Sequence, residues 1–110
     1  MTKKLYQKKC SACSGETPKL SESQIEQLLK QIKEWQLSDN LQWLYKEFKF
    51  KNFQQTLDFV NQISKIAEEE NHHPNINFTW GYCKISIQTH KIKGLCENDF
   101  ILAAKIDQIS

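Results

Sequence analysis

Three histidines, His72, His73 and His90, are the residues of this chain best suited to moving protons near neutral pH, because an unperturbed imidazole titrates at about pH 6.5. All three fall at the ends of expected elements, where side chains can converge on a ligand without disturbing a core. A histidine at a helix end is also a common partner for the carbonyls exposed there, so placement alone does not separate chemistry from structure. Glu68 lies four residues before His72. On a persisting helix that spacing puts both on one face, where the carboxylate either orients the imidazole or forms an ordinary surface ion pair. Adjacent His72 and His73 project in different directions on a helix or a strand, and are poorly placed to share a metal ion. By ligand type alone, His72, His90 and Asp99 form an alternative metal set. Asn71, Gln88 and Thr89 flank the histidines and offer hydrogen-bonding groups for a polar ligand, or else serve turn and strand ends.

The elements that must position these residues are legible from periodicity. Ser21 with Gln24 reads as a capping box, and Ile25, Leu28, Leu29 and Ile32 repeat at helical spacing up to Trp35. A short strand over 36–38, a turn at Asp39-Asn40 and a longer strand over 41–50 follow, with Leu44, Lys46, Phe48 and Phe50 on one face. Asn52 is placed to cap a second helix whose stripe is Phe53, Leu57, Val60, Ser64 and Ala67, flanked by Phe59, Ile63 and Ile66. Pro74 forces this helix to end near His72-His73. A second hairpin joins 76–80 through Gly81-Tyr82 to an alternating strand that ends at His90. Gly94 breaks the chain again, and Asn98 or Asp99 caps a last helix bearing Phe100, Leu102, Ala103, Ile106 and Ile109. The order α-β-β-α-β-β-α predicts an α+β two-layer sandwich, a four-stranded antiparallel sheet with three helices on one face. The exposed edges of so small a sheet predict a homo-oligomer.

Composition narrows the class of partner. In 110 residues there is room for one core and no separate cofactor domain. Fifteen basic against thirteen acidic residues leave a net charge of +2, too weak a field to favour nucleic acid or an anionic membrane. Lys3-Lys4 and Lys8-Lys9 read as solvated charge in a leader over 1–19, which lacks a sustained apolar period and is expected to be mobile or loosely packed; the domain proper spans 20–110. No apolar run reaches the roughly 18 residues of a membrane span, and no signal-like segment opens the chain, so a soluble cytoplasmic protein is expected. Cys10, Cys13, Cys83 and Cys96 contain one Cys-x-x-Cys without a second pair to complete a zinc ribbon, and are read as reduced thiols, the alternative being metal or redox use of Cys10 and Cys13.

The spaced set Glu68, His72-His73-Pro74, Trp80, His90 and Asp99 resembles the signature of the pterin-4a-carbinolamine dehydratase family. The resemblance extends from about Leu20 to Ile109 and takes in Trp35 ahead of a hairpin, Phe48-x-Phe50-x-x-Phe53 and Gly94-Leu95. The Cys10-x-x-Cys13-x-Gly15 leader is similar to that of bacterial members. Asn71 stands where some relatives carry an acid, and Gln88 where a small hydroxyl residue can occur.

This resemblance implies a hydro-lyase that needs no cofactor. Its substrate would be 4a-hydroxytetrahydrobiopterin or a related carbinolamine made by an aromatic amino acid hydroxylase, and its product quinonoid dihydropterin. Hydroxide is a poor leaving group and must be protonated as it departs from C4a, while a ring nitrogen gives up its proton. His72 and His73 are the candidate acid and base, and His90 a third such group or a pterin ligand. Glu68 and Asp99 would orient imidazoles, and Asn71, Gln88 and Thr89 would meet the pterin's amide edge. Trp80, inside the signature, is a better candidate than Trp35 for a wall against the flat ring, the alternative for either being core packing. A homodimer or homotetramer is expected. Two other roles follow from the resemblance: dimerisation cofactor of a homeodomain transcription factor, as in animals, and pterin binding in a pathway such as molybdopterin metabolism.

Overall fold

The computed structural model describes residues 4–11 and 15–110; Cys13 lies outside them. Three α-helices, α1 (Glu22–Leu29), α2 (Phe53–Glu70) and α3 (Glu97–Ile109), and four strands, β1 (Gln36–Leu37), β2 (Leu44–Lys49), β3 (Asn75–Thr79) and β4 (Tyr82–Ile87), follow in the expected order. The strands form one antiparallel sheet in the order β1-β2-β4-β3. In this register Leu44 pairs with Ile87, Phe48 with Cys83, and Ile76 with Ile85. Paired residues of antiparallel strands share a face, so Leu44, Phe48, Cys83, Ile85 and Ile87 form a buried apolar surface. It joins Ile25 of α1, Phe59 and Ile63 of α2, and Phe100, Leu102 and Ile106 of α3 in one core. Tyr45, Lys84 and Ser86, on the other face, are partly exposed.

Capping sets the helix starts. The Ser21 hydroxyl accepts from the Gln24 N–H at 3.2 Å while the Gln24 side chain accepts from the Ser21 N–H at 2.8 Å, closing the expected box. Asn52 Oδ1 accepts from the Gln55 N–H at 2.8 Å. The start of α3 differs from expectation. Its N-cap is Cys96, and Asp99, three residues later, reaches back to accept the Cys96 N–H at 2.9 Å.

Other boundaries move for identifiable reasons. Helix α1 stops at Leu29, and Ile32 and Trp35 are buried from the irregular segment beyond it, where Glu34 adopts φ +59°. The indole of Trp35 donates to Asp107 Oδ1 at 2.9 Å, and the Lys33 N–H donates to Asp107 Oδ2 at 3.0 Å. A buried carboxylate on α3 thus shapes that segment in place of a further helical turn. The buried stripe of α2 is Thr56, Phe59, Ile63 and Ala67. Phe53, assigned to the stripe from sequence, is exposed against Phe78 with ring centroids 6.0 Å apart. Leu5 is also a correction: it is 4% exposed in a 3-10 turn over Leu5–Gln7 that packs on α3, so this stretch of the leader is held in the core rather than loosely packed. Helix α3 is buried on nearly every side as a result.

The β3–β4 turn depends on Gly81, which sits at φ +70° with its C=O accepting from the Phe50 N–H at 2.9 Å. A Cβ there would stand 2.9 Å from the Phe50 carbonyl oxygen. The Gly81→Ala variant is therefore expected to lose at least about 1 kcal/mol of unfolding free energy, measured by urea denaturation.

Candidate active site

The end of α2 is where the site begins. Asn71 takes the left-handed conformation, φ 51° and ψ 41°, and the His72 N–H reaches back to the Ala67 carbonyl at 3.2 Å. The chain leaves the helix axis at this point, and Pro74 prevents its return. Glu68 and His72 therefore do not pair along one helical face. Glu68 Oε1 instead meets His73 Nε2 at 2.9 Å, on the exposed side. His72 turns inward, with Nε2 at 2.7 Å from Asp99 Oδ1.

Asp99 has no exposed surface, and its other oxygen is also occupied. Oδ2 accepts from the Thr89 hydroxyl at 2.8 Å and from the Cys96 N–H at 2.9 Å. A carboxylate only accepts, so the His72 contact is made by an Nε2–H. The imidazole is thereby fixed with Nδ1 as the nitrogen that can exchange a proton with a ligand. Thr89 orients the carboxylate and so supports the imidazole at one remove.

A cavity of about 510 Å³ opens beside this pair. His72, His73 and His90 line it, together with Asn71, Gln88 and Thr89. His90 opens a 3-10 turn over His90–Ile92, and its ring meets Trp43 edge-on at 5.9 Å between centroids. Gln88 Nε2 donates to the Gln42 carbonyl at 3.2 Å, tying the same strand end to the segment that carries Trp43. Of the residues singled out from sequence, Asp99 and Glu68 stand behind the lining as partners of His72 and His73. Trp80 is not brought to the cavity. It follows β3 in the hairpin turn, 66% exposed, and five strand residues separate it by about 16 Å from the end of β3 that borders the histidines. Trp35 is core.

A sequence profile described as pterin 4 alpha carbinolamine dehydratase matches residues 18–109. The chain belongs to the pterin-4a-carbinolamine dehydratase family. A relative from Rickettsia canadensis, provisionally named a pterin-4-alpha-carbinolamine dehydratase, is 54% identical over 104 residues, 94% of each chain. One from Halorhodospira halophila with the same provisional name is 48% identical over 105 residues, 96% of each. The crystal structure of a transcriptional coactivator/pterin dehydratase from Brucella melitensis superposes with a TM-score of 0.79 at 29% identity, covering 84% of this chain and 98% of that one. A pterin dehydratase-like protein identified as a RuBisCO assembly factor in the alpha-carboxysome superposes at 0.59, again with 29% identity, over 68% and 87%. The family's activity makes the chain a hydro-lyase acting on a pterin carbinolamine.

Several residues of this cavity carry no functional signal in the sequence. Cys10, Ser11, Glu70, Asn75, Lys91 and Asn98 also line the cavity. Asn98 could be read only as a helix cap, and Cys10 only as half of a Cys-x-x-Cys. Among the described residues no group of three or more His, Cys, Asp or Glu is placed to hold a metal ion, so the His72, His90, Asp99 set is not assembled as one. Among the described residues no helix is long and apolar enough to cross a membrane.

Burial and the Glu70 carboxylate push the Cys10 thiol up from 9.0 to about 12. At pH 8 that gap of three lowers the thiolate fraction by roughly three powers of ten. Alkylation of Cys10 in the folded chain is expected to be slower than in urea by a comparable factor, read by peptide mass spectrometry.

Proposed function

We propose that this chain dehydrates 4a-hydroxytetrahydrobiopterin to quinonoid dihydropterin by histidine general acid/base catalysis, returning the cofactor of an aromatic amino acid hydroxylase to use. The observation that carries the reading is His72, bonded at 2.7 Å to a wholly buried carboxylate and sharing one cavity with His73 and His90. The reaction breaks the C4a–O bond, and the oxygen takes a proton and departs as water. N5 gives up its proton, and the electrons of the N–H bond close the C4a=N5 double bond. One proton enters and one leaves, so a pair of imidazoles suffices.

We assign His72 and His73 as that pair. Asp99 fixes the tautomer and orientation of His72, and Glu68 holds His73. His90, backed by Trp43, is a third proton-transfer group or a pterin ligand. Asn71 and Gln88 meet the amide edge of the ring. The free thiols of Cys10 and Cys83 suit the reducing cytoplasm, where we place the protein. We also propose a homodimer or homotetramer. The outer strand β3 is mostly exposed, and its Phe78, 40% exposed, meets Phe53 of α2, 46% exposed.

Wild-type protein is expected to accelerate quinonoid dihydropterin formation from hydroxylase-generated carbinolamine above the spontaneous rate. His72→Ala should lower kcat by about 10²-fold or more, and a folded His72→Ala, His73→Ala double variant should return to the spontaneous rate. A wild type that leaves the spontaneous rate unchanged defeats the proposal and favours a scaffold role, which removal of the imidazoles would not affect. Light scattering should give a mass of two or four chains, and Phe78→Asp should reduce it.

A further inference from the structure

The segment Lys4–Ser11 is fastened to the domain at the two helix ends that carry the histidine–carboxylate pair. Glu70, the last residue of α2 and two before His72, accepts the Cys10 N–H through Oε1 at 2.8 Å. Its other oxygen lies 3.7 Å from Lys105 Nζ, which donates to the Tyr6 carbonyl at 3.0 Å. Asn98 immediately precedes Asp99 on α3 and is 4% exposed. Its Oδ1 accepts the Ser11 N–H at 3.0 Å and its Nδ2 donates to the Ser11 carbonyl at 2.7 Å. Both main-chain groups of one residue are thus paired to a single buried amide, as a neighbouring strand would pair them. The Cys10 thiol completes the clamp, donating to the Asn98 carbonyl at 3.6 Å.

Successive residues at a helix start point about 100° apart. The first turn of α3 can therefore hold Asp99 against His72 and Asn98 against the leader. Cys10 and Ser11 line the same cavity as the three histidines. Buried polar clamps of this kind are costly unless every group is paired, and here they secure a stretch of chain whose described end borders the ligand space.

We propose that the leader forms one wall of the pterin site, with Cys10 and Ser11 in contact with the bound ring and Asn98 and Glu70 as positioning residues that hold that wall in place. The proposal rests on the pterin reading above. A bicyclic ring bound here would be enclosed on a side that the domain over 20–110 leaves open, excluding water from the departing hydroxyl.

The test uses the full ¹⁵N-labelled chain titrated with 7,8-dihydrobiopterin, a pterin that lacks the 4a-hydroxyl. The amide signals of Cys10 and Ser11 should shift with the same saturation curve as that of His72. Asn98→Ala should raise KM for the carbinolamine about fivefold or more while kcat stays within about twofold, since Asn98 touches no reacting atom. Ser11→Phe, a change at an exposed side chain that leaves the main-chain clamp intact, should raise KM similarly without lowering Tm. A leader that merely braces the fold would lower Tm in Asn98→Ala and leave KM unmoved. Leader amides that stay still at a pterin concentration saturating the His72 shift overturn the wall and leave the dehydratase reading standing. A wild type that neither binds the pterin nor accelerates dehydration overturns both.

Discussion

A carboxylate with no exposed surface needs a donor for every acceptor, or its burial is prohibitive. Asp99 meets this demand by drawing on three different regions of the chain: the Cys96 N–H at the start of its own helix, the Thr89 hydroxyl after β4, and His72 after α2. The solvation of one charge therefore fixes the spacing of α3, the end of β4 and the end of α2. The arrangement that makes burial tolerable is the one that presents His72 to the cavity. Capping, packing and the placement of His72 share a single group, and replacing it disturbs all three.

Further along α3, Asp107 is a second buried anchor, without the chemistry. It accepts the Lys33 N–H, the Trp35 indole and Lys46 Nζ, the last at 3.1 Å with both side chains largely buried. Helix α3 is therefore held at both ends by carboxylates and along its length by apolar residues. It receives the sheet on one side and the Leu5–Gln7 turn on another. A helix so enclosed is a rigid base, and a site built from its first turn inherits that rigidity.

The two structural neighbours carry different descriptions, one joining coactivator to pterin dehydratase and the other naming a RuBisCO assembly factor. A shared fold does not choose among such roles. In this chain three imidazoles line the cavity, two of them backed by carboxylates, and our proposal of proton transfer rests on them.

Much of this was legible in the order of residues. Local rules govern local features: the Ser21 box, the Asn52 cap, the break at Pro74 and the alternation of β4 each depend on neighbours within a few positions. The histidines, Glu68 and Asp99 stood out by type and spacing. What spacing did not settle was partnership. Four residues on a helix suggested Glu68 with His72, yet one left-handed residue at Asn71 turns the chain and exchanges the partners. The same limit hid Cys10, Ser11, Glu70 and Asn98, whose contacts span 60 to 88 positions, and put Trp80 in a motif that the sheet carries away from the cavity. The sequence by itself determined the elements and the chemical groups, because those follow from short-range sterics and residue type. Tertiary structure alone decided which carboxylate meets which histidine and which distant residues line the cavity with them, because those depend on how distant segments satisfy one another's buried polar groups.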